Sequence, residues 1–297
     1  MPLKHDIRRG AACMLGAMAL FTFMSMLVKL AAAELHFLQV MFFRSLLALP
    51  VVLAIVARRR DGALLRTRRL PQHFLRALTG TMAMTCSFFA LTVLPLAEQT
   101  ALTFTTPLFV TLLAIPFLGE RVGPWRLGAV VVGFLGILVI ALGKGAFQGA
   151  VDRWVLIGMG VAVGHGVFSA ATTLLVRSLS GTERSTTIVL WQSILMTCFT
   201  ALALPFVWVT PTGTEMLLLI AIGLVGGVAQ VLLTEAYASA QVSALGAFSY
   251  TGILWAVLLG WLVFDDRPGL ATLGGATLIV GASLAIMHRE LKRGSPA

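Results

Sequence analysis

Stretches of roughly 20 predominantly apolar residues follow one another along this chain with barely a connection between them, and that spacing decides what it can fold into. Each stretch has the length an α-helix needs to cross the hydrocarbon of a bilayer, where no water is present to satisfy an open backbone. The predicted spans are residues 10–32, 37–57, 73–94, 97–118, 124–143, 154–178, 185–208, 214–238, 243–264 and 269–288. A transmembrane β-barrel would read instead as alternating segments of about ten residues, and no such alternation occurs. With 58% hydrophobic and 11% charged residues and a mean hydropathy of +0.94, the 297 residues leave no room for a separate soluble domain.

The net charge of +10 does not signal a nucleic-acid partner, because the basic residues lie between apolar runs instead of gathering on one solvated face. Their distribution sets an orientation. On the ten-span plan only Lys144, Arg153 and Arg267 fall on one side, and Lys29 and Arg44 fall within helices. All the remaining Lys and Arg share the other side, which the positive-inside rule makes cytoplasmic together with both termini. A bacterial-type inner membrane is the expected location. Lys4, Arg8 and Arg9 ahead of a long apolar stretch resemble a secretory signal, but the stretch is too long and more spans follow, so a retained first helix is expected. Cys13, Cys86 and Cys198 sit in separate runs with no metal or redox spacing, and no cofactor is implied.

Laying residues near 78–141 on residues 146 positions later pairs Gly80 with Gly226, Ala90 with Ala236, Ala101 with Ala247, Thr105 with Thr251, Arg121 with Arg267 and Gly128 with Gly274. Five helices is an odd number, so a second copy enters from the opposite face. The expected fold is an all-α membrane protein of ten transmembrane helices in two inverted five-helix repeats, residues 1–148 and 149–297, the arrangement of alternating-access carriers.

The segment from Ala90 to Ile140, with its Leu118-Gly119-Glu120 turn and a following helix carrying Gly128, Gly133 and Gly136, resembles part of an EamA repeat of the drug/metabolite transporter superfamily. Phe42-Phe43-Arg44 is similar to that family's aromatic-arginine signature. The second copy departs at its turn, where Asp265-Asp266-Arg267 stands. The resemblance implies a substrate cavity between the halves, chiefly from helices 1, 3 and 4 with 6, 8 and 9. It also implies export of amino acids and related metabolites, as by the YddG-type aromatic amino-acid exporters of that superfamily.

Several polar residues within spans are candidates for the cavity. Arg44 lies about 10 Å from the outer end of helix 2. A guanidinium at that depth needs a cavity, a partner or water, and it can serve as a clamp on helix-end carbonyls or as a bidentate ligand for a substrate carboxylate. Lys29, nearer a helix end, can snorkel to the interface. Gln230 near the middle of helix 8 and Gln192 in helix 7, which mirrors Arg44, must satisfy their amides through the cavity or another helix. His165 between Gly164 and Gly166 reads as a packing histidine or as a donor at a locally unwound site. Phe104 and its repeat counterpart Tyr250, with Trp191 and Trp255, can wall an aromatic substrate or face lipid. Pro107 and Pro116 in helix 4, and Gly246 and Gly252 in helix 9, lower resistance to bending and mark possible gates or static kinks. Glu98 and Glu235 can couple transport to protons if desolvated, or sit at interfaces as ordinary carboxylates. Neither lies securely at the midplane, which favours uniport.

Gly160 to Gly164 and Gly223 to Gly227 have GxxxG spacing, best used inside one bundle, so a functional monomer is expected. No HExxH, paired acidic motif or cysteine metal set is present, and an enzyme is not expected. The reading is a secondary transporter exporting amino acids or related small metabolites by alternating access, with uptake of a metabolite such as S-adenosylmethionine as the alternative.

Overall fold

The computed structural model describes residues 7–58, 67–118, 124–143, 152–180, 182–183, 185–239 and 248–294. Its helices are α1 (Ile7–Ala31), α2 (Phe37–Arg58), α3 (Leu70–Val93), α4 (Leu96–Thr103), α5 (Thr106–Leu118), α6 (Pro124–Gly143), α7 (Arg153–Ser180), α8 (Ser185–Ala201), α9 (Leu204–Val207), α10 (Gly213–Ser239), α11 (Thr251–Phe264) and α12 (Leu270–Gly294). No strand occurs among the described residues. Among the described residues six stretches are long and apolar enough to cross a membrane, and four shorter apolar helices accompany them. The chain is an all-α membrane protein.

The apolar pattern is inside-out relative to a water-soluble bundle. On α6, Leu127, Val131, Leu135, Leu138 and Leu142 form an exposed stripe at helical spacing, while Ala129, Val130 and Ile140 face the protein. On α10, Leu217, Ile220, Leu224 and Val228 do the same, opposite the buried Leu219, Ile222 and Ala229. Lipid is the solvent such stripes suit. Since lipid is as apolar as leucine, it gives the helices little hydrophobic reason to associate, and close packing of small residues must hold them together.

The closest crossings show this. α6 and α12 meet at Gly136 and Gly275, where a methyl on either would come within 2.6 Å or 2.5 Å of the other's carbonyl oxygen. Gly223 and Gly227 of α10 seat Leu47 and Val51 of α2, so that GxxxG motif works within the bundle. The Gly160–Gly164 spacing is not used in this way: a methyl on Gly160 would meet nothing within 4 Å, and the tight contacts of α7 fall at Gly158 and Gly166. The principal helix pairs are α1 with α10, α6 with α12, α3 with α7, α2 with α10, α2 with α8 and α3 with α8.

The expected fourth span is two helices. Pro107 has no N–H to give the Thr103 carbonyl, so the i to i−4 ladder fails there. The chain tightens through Phe104 N–H to Ala101 O (3.2 Å) and Thr105 N–H to Leu102 O (3.1 Å). The Thr106 hydroxyl donates to the Thr103 carbonyl at 2.9 Å in place of the missing amide. α5 then restarts at Thr106.

Polar ties close both ends of the bundle. At the end carrying the α1–α2 turn, Lys29 pairs with Asp266 at 3.0 Å, with Nζ 4.6 Å from the Phe264 ring centre. There too Gln39 exchanges two hydrogen bonds with the Val209 backbone (2.7 and 2.9 Å), and Thr272 donates to Glu98 at 3.1 Å. The largest buried apolar cluster, from Met24 through Leu35 to Met41 with Phe88, Leu96 and Leu219, fills this half. At the opposite end Arg9 donates to Glu235 at 2.6 Å and Thr67 to Glu183 at 2.7 Å.

Candidate functional site

Three of the polar residues singled out in the sequence meet in one cavity. Arg44 from α2, Gln192 from α8 and Gln230 from α10 line this narrow, partly open cavity together with Ser45, Ser193 and Met196. α10 contributes backbone here, because Gly226 and Gly227 leave the wall bare. A Cβ on Gly226 would lie 2.7 Å from Met24 Sδ and 3.4 Å from Arg44 Nε, so the glycine makes room for the guanidinium. Gly80 of α3 also packs on Gln192, at ordinary contact distance, with Nε2 3.7 Å from where a Cβ would stand.

Arg44 is held loosely for a charge so deep in an apolar bundle. Nη1 lies 3.9 Å from Met84 Sδ, a weak acceptor, and the buried Nε has no hydrogen-bond partner among the described residues. Gln192 Nε2 likewise contacts a thioether, Met196 Sδ, at 3.3 Å. Donors committed only to sulfur can turn to a carbonyl or carboxylate at small cost.

The aromatic candidates divide. Phe104 and Tyr250 meet between α4 and α11 with ring centres 4.9 Å apart and planes tilted by 55°, and Ser283 of α12 donates to the Phe104 carbonyl at 3.3 Å. Gly252 presents its carbonyl to the Thr22 hydroxyl of α1 at 3.4 Å. Trp191 does not line the cavity and lies 6.2 Å from the His73 ring of α3. Trp255, 39% exposed beside Leu254 and Leu258, faces outward with the lipid-facing stripe of α11.

His165 Nδ1 is 2.9 Å from the Ala83 carbonyl, tying α7 to α3, and α7 runs unbroken through the flanking glycines. Gly166 admits Thr105 and Phe109 of the fourth span. Pro107 marks the α4–α5 break and Pro116 lies exposed inside α5, while Gly246 falls outside the described residues. Glu98, 3% exposed in the first turn of α4, accepts from Thr272, and Glu235 pairs with Arg9. Lys29, expected to snorkel, is ion-paired with Asp266.

Two differences from the sequence reading stand out. The cavity is built by the second, seventh and eighth spans, where the resemblance had implied chiefly 1, 3, 4, 6, 8 and 9. And Arg76 was counted with the cytoplasmic-side charges, while His73 was not singled out. Both fall at the start of the expected third span; α3 begins at Leu70, with Pro71 in its first turn, and both side chains are buried on its protein-facing side. The stripe of His73, Arg76, Ala77 and Gly80 opposite Phe74, Leu75, Leu78 and Met82 was the available clue.

A lipid-facing helical bundle with a small polar cavity is the architecture of a multi-pass membrane protein. The chain belongs to the EamA-like transporter family, whose model matches residues 8–142 and again residues 156–287. The pseudopaline exporter CntI of Pseudomonas aeruginosa is 32% identical over 286 residues, covering 93% of this chain and 96% of that protein. A riboflavin transporter of Rhizobium johnstonii is 35% identical, covering 84% and 80%, and an S-adenosylmethionine uptake transporter of Rickettsia felis is 28% identical, covering 89% and 87%. A crystal structure of a protein 20% identical to this one shares the fold, with a TM-score of 0.66 over 96% of this chain and 99% of that one.

Proposed function

We propose that this transporter exports amino acids or related small metabolites by alternating access across a bacterial inner membrane, with both termini in the cytoplasm and one chain as the working unit. The observation that carries the reading is the meeting of Arg44, Gln192 and Gln230, donors from three helices, in one cavity whose α10 wall is opened by Gly226 and Gly227. Arg44 would take the solute's carboxylate, and the two amides would orient its remaining polar groups.

The helix pairing supports two inverted halves, residues 1–148 and 149–297. Replacing each span by the one five later turns α1–α10 into α7–α3 and α2–α10 into α8–α3, and it leaves α2–α8 and α6–α12 unchanged. That exchange is expected of two like units about a two-fold axis. Arg44 and Gln192 stand on corresponding helices, two residues out of the 146-residue register, and the glycines beside them, Gly226 and Gly80, correspond in that register. Because the end with the α1–α2 turn carries the larger buried cluster and the Lys29–Asp266 pair, this conformer would be closed to the outside. Phe104 and Tyr250, at the crossing of corresponding helices, favour a solute with a flat or apolar side chain.

The relatives named for S-adenosylmethionine uptake favour import as a second reading. Flux in proteoliposomes tests both. Efflux and counterflow of a labelled amino acid, dependent on protein and reduced in Arg44→Gln, is the expected result. Transport of a nucleoside-linked metabolite without amino-acid counterflow would replace it with the second reading.

A further inference from the structure

α3 turns two faces to different surroundings. Phe74, Leu75, Leu78 and Met82 are exposed on one, while His73 (1% exposed) and Arg76 (7%) are buried on the other. Burial has not given them partners. Both ring nitrogens of His73, Nε and Nη1 of Arg76 and Nε1 of Trp191 lack a hydrogen bond among the described residues. The His73 and Trp191 rings lie 6.2 Å apart, and His73 and Arg76, three residues apart, share one helix face. Glu183 is close enough for its charge to act on His73, but its Oε1 accepts from Thr67.

The inverted pairing shows what packing alone would place here. The 146-residue register sets His73 against Leu219 and Arg76 against Ile222, and both counterparts are fully buried apolar residues. One half thus fills this position with hydrocarbon, and the other fills it with a cation and an imidazole, beside the indole N–H of Trp191 from α8. Buried charged groups seldom stabilise more than apolar residues of similar volume, so packing does not account for the difference. A ligand that accepts hydrogen bonds and carries negative charge does.

We propose that His73 and Arg76 of α3, with Trp191 of α8, form a second binding site, for the carboxylate or phosphate oxygens of a small anionic solute, with no equivalent around Leu219 and Ile222 of α10. It rests on the transporter reading and deepens it. Arg76 stands one helical turn, about 6 Å, from Gly80, which faces Gln192 of the cavity. Donors therefore run in steps from His73 through Arg76 to Gln192 and Arg44, leading an anion from the cytoplasmic end into the cavity. Because the apolar counterparts lie at the outer end, no equivalent site waits there, so capture is favoured from the cytoplasm. The burial of His73 and Arg76, turned from the exposed face of α3, and of the Trp191 Nε1 suits a solute better than a lipid headgroup.

Purified full-length protein, titrated with succinate and with inorganic phosphate at constant ionic strength, tests this by thermal unfolding without any flux measurement. A saturable rise in Tm with at least one probe is expected, with affinity falling about tenfold or more in Arg76→Gln and in His73→Gln and partly kept in Arg76→Lys. The double variant His73→Leu, Arg76→Ile, which copies the other half, should unfold no earlier than wild type and ignore both probes. The proposal is overturned if wild type responds to neither probe, or if the double variant responds as wild type does. It is equally overturned if stability in nanodiscs follows the anionic-lipid content while soluble anions have no effect. A probe response in a protein that fails to move amino acids would leave this site standing and remove only the proposed cargo.

Discussion

The α6–α12 crossing offers the cleanest physical prediction. A methyl on Gly136 would stand 2.6 Å from the Gly275 carbonyl oxygen, and one on Gly275 would stand 2.5 Å from that of Gly136. A carbon and a carbonyl oxygen rest at about 3.3 Å or more, so the helices must part by roughly 0.7 Å. Overpacking of that kind costs about 1–3 kcal/mol. Replacing glycine by alanine within a helix also contributes up to about 1 kcal/mol of helix propensity, which would mask part of the loss. Gly128 and Gly274, on the same two helices with nothing within 4 Å of an added methyl, supply the control. Gly128→Ala should match or exceed wild type, and Gly136→Ala should lie about 1–3 kcal/mol below it, the propensity term cancelling. The Gly136→Ala, Gly275→Ala double variant should lose less than the sum of its parts, because one separation relieves both clashes. Equilibrium unfolding in a fixed detergent mixture measures all of this. If Gly136→Ala unfolds together with Gly128→Ala, the crossing is not the close contact argued for.

Other residues yield shorter tests. Arg44→Lys keeps the charge but loses the paired donors, so KM for a carboxylate substrate should rise about tenfold or more with thermal stability little changed; an unchanged KM would assign Arg44 to structure alone. Thr106→Val removes the hydroxyl that serves the Thr103 carbonyl and should lower unfolding stability by about 1 kcal/mol, whereas no loss would mean that carbonyl is satisfied elsewhere. A double-mutant cycle of Lys29→Gln and Asp266→Asn should give a coupling of about 0.2–1 kcal/mol that shrinks in high salt, and zero coupling at low salt would remove this tie.

Most helix positions were legible because lipid demands apolar length, and α1, α2, α6 and α10 begin and end within three residues of the expected bounds. The break in the fourth span was only half legible. Pro107 announced a disturbance, but the rescue by Thr106 that turns a kink into two helices depends on local geometry. Arg44, Gln192 and Gln230 were found because an amide or guanidinium amid hydrocarbon is expensive wherever it lies. Which of them share a cavity was not, since nothing along the chain says that α2, α8 and α10 converge. Trp191 and Trp255 could not be told from cavity walls, because an indole suits lipid, interface and pocket alike. His73 and Arg76 escaped notice since a charge near a helix start looks solvated until its face is known.

Access to the cavity is the most direct measure of the central claim. In a background with Cys13, Cys86 and Cys198 replaced, Ser193→Cys places one thiol on the cavity wall for a membrane-impermeant maleimide in oriented vesicles. Alternating access predicts modification from both faces, with Lys29→Gln raising the rate from outside relative to that from the cytoplasm. Modification from one face only, with and without Lys29→Gln, would contradict it.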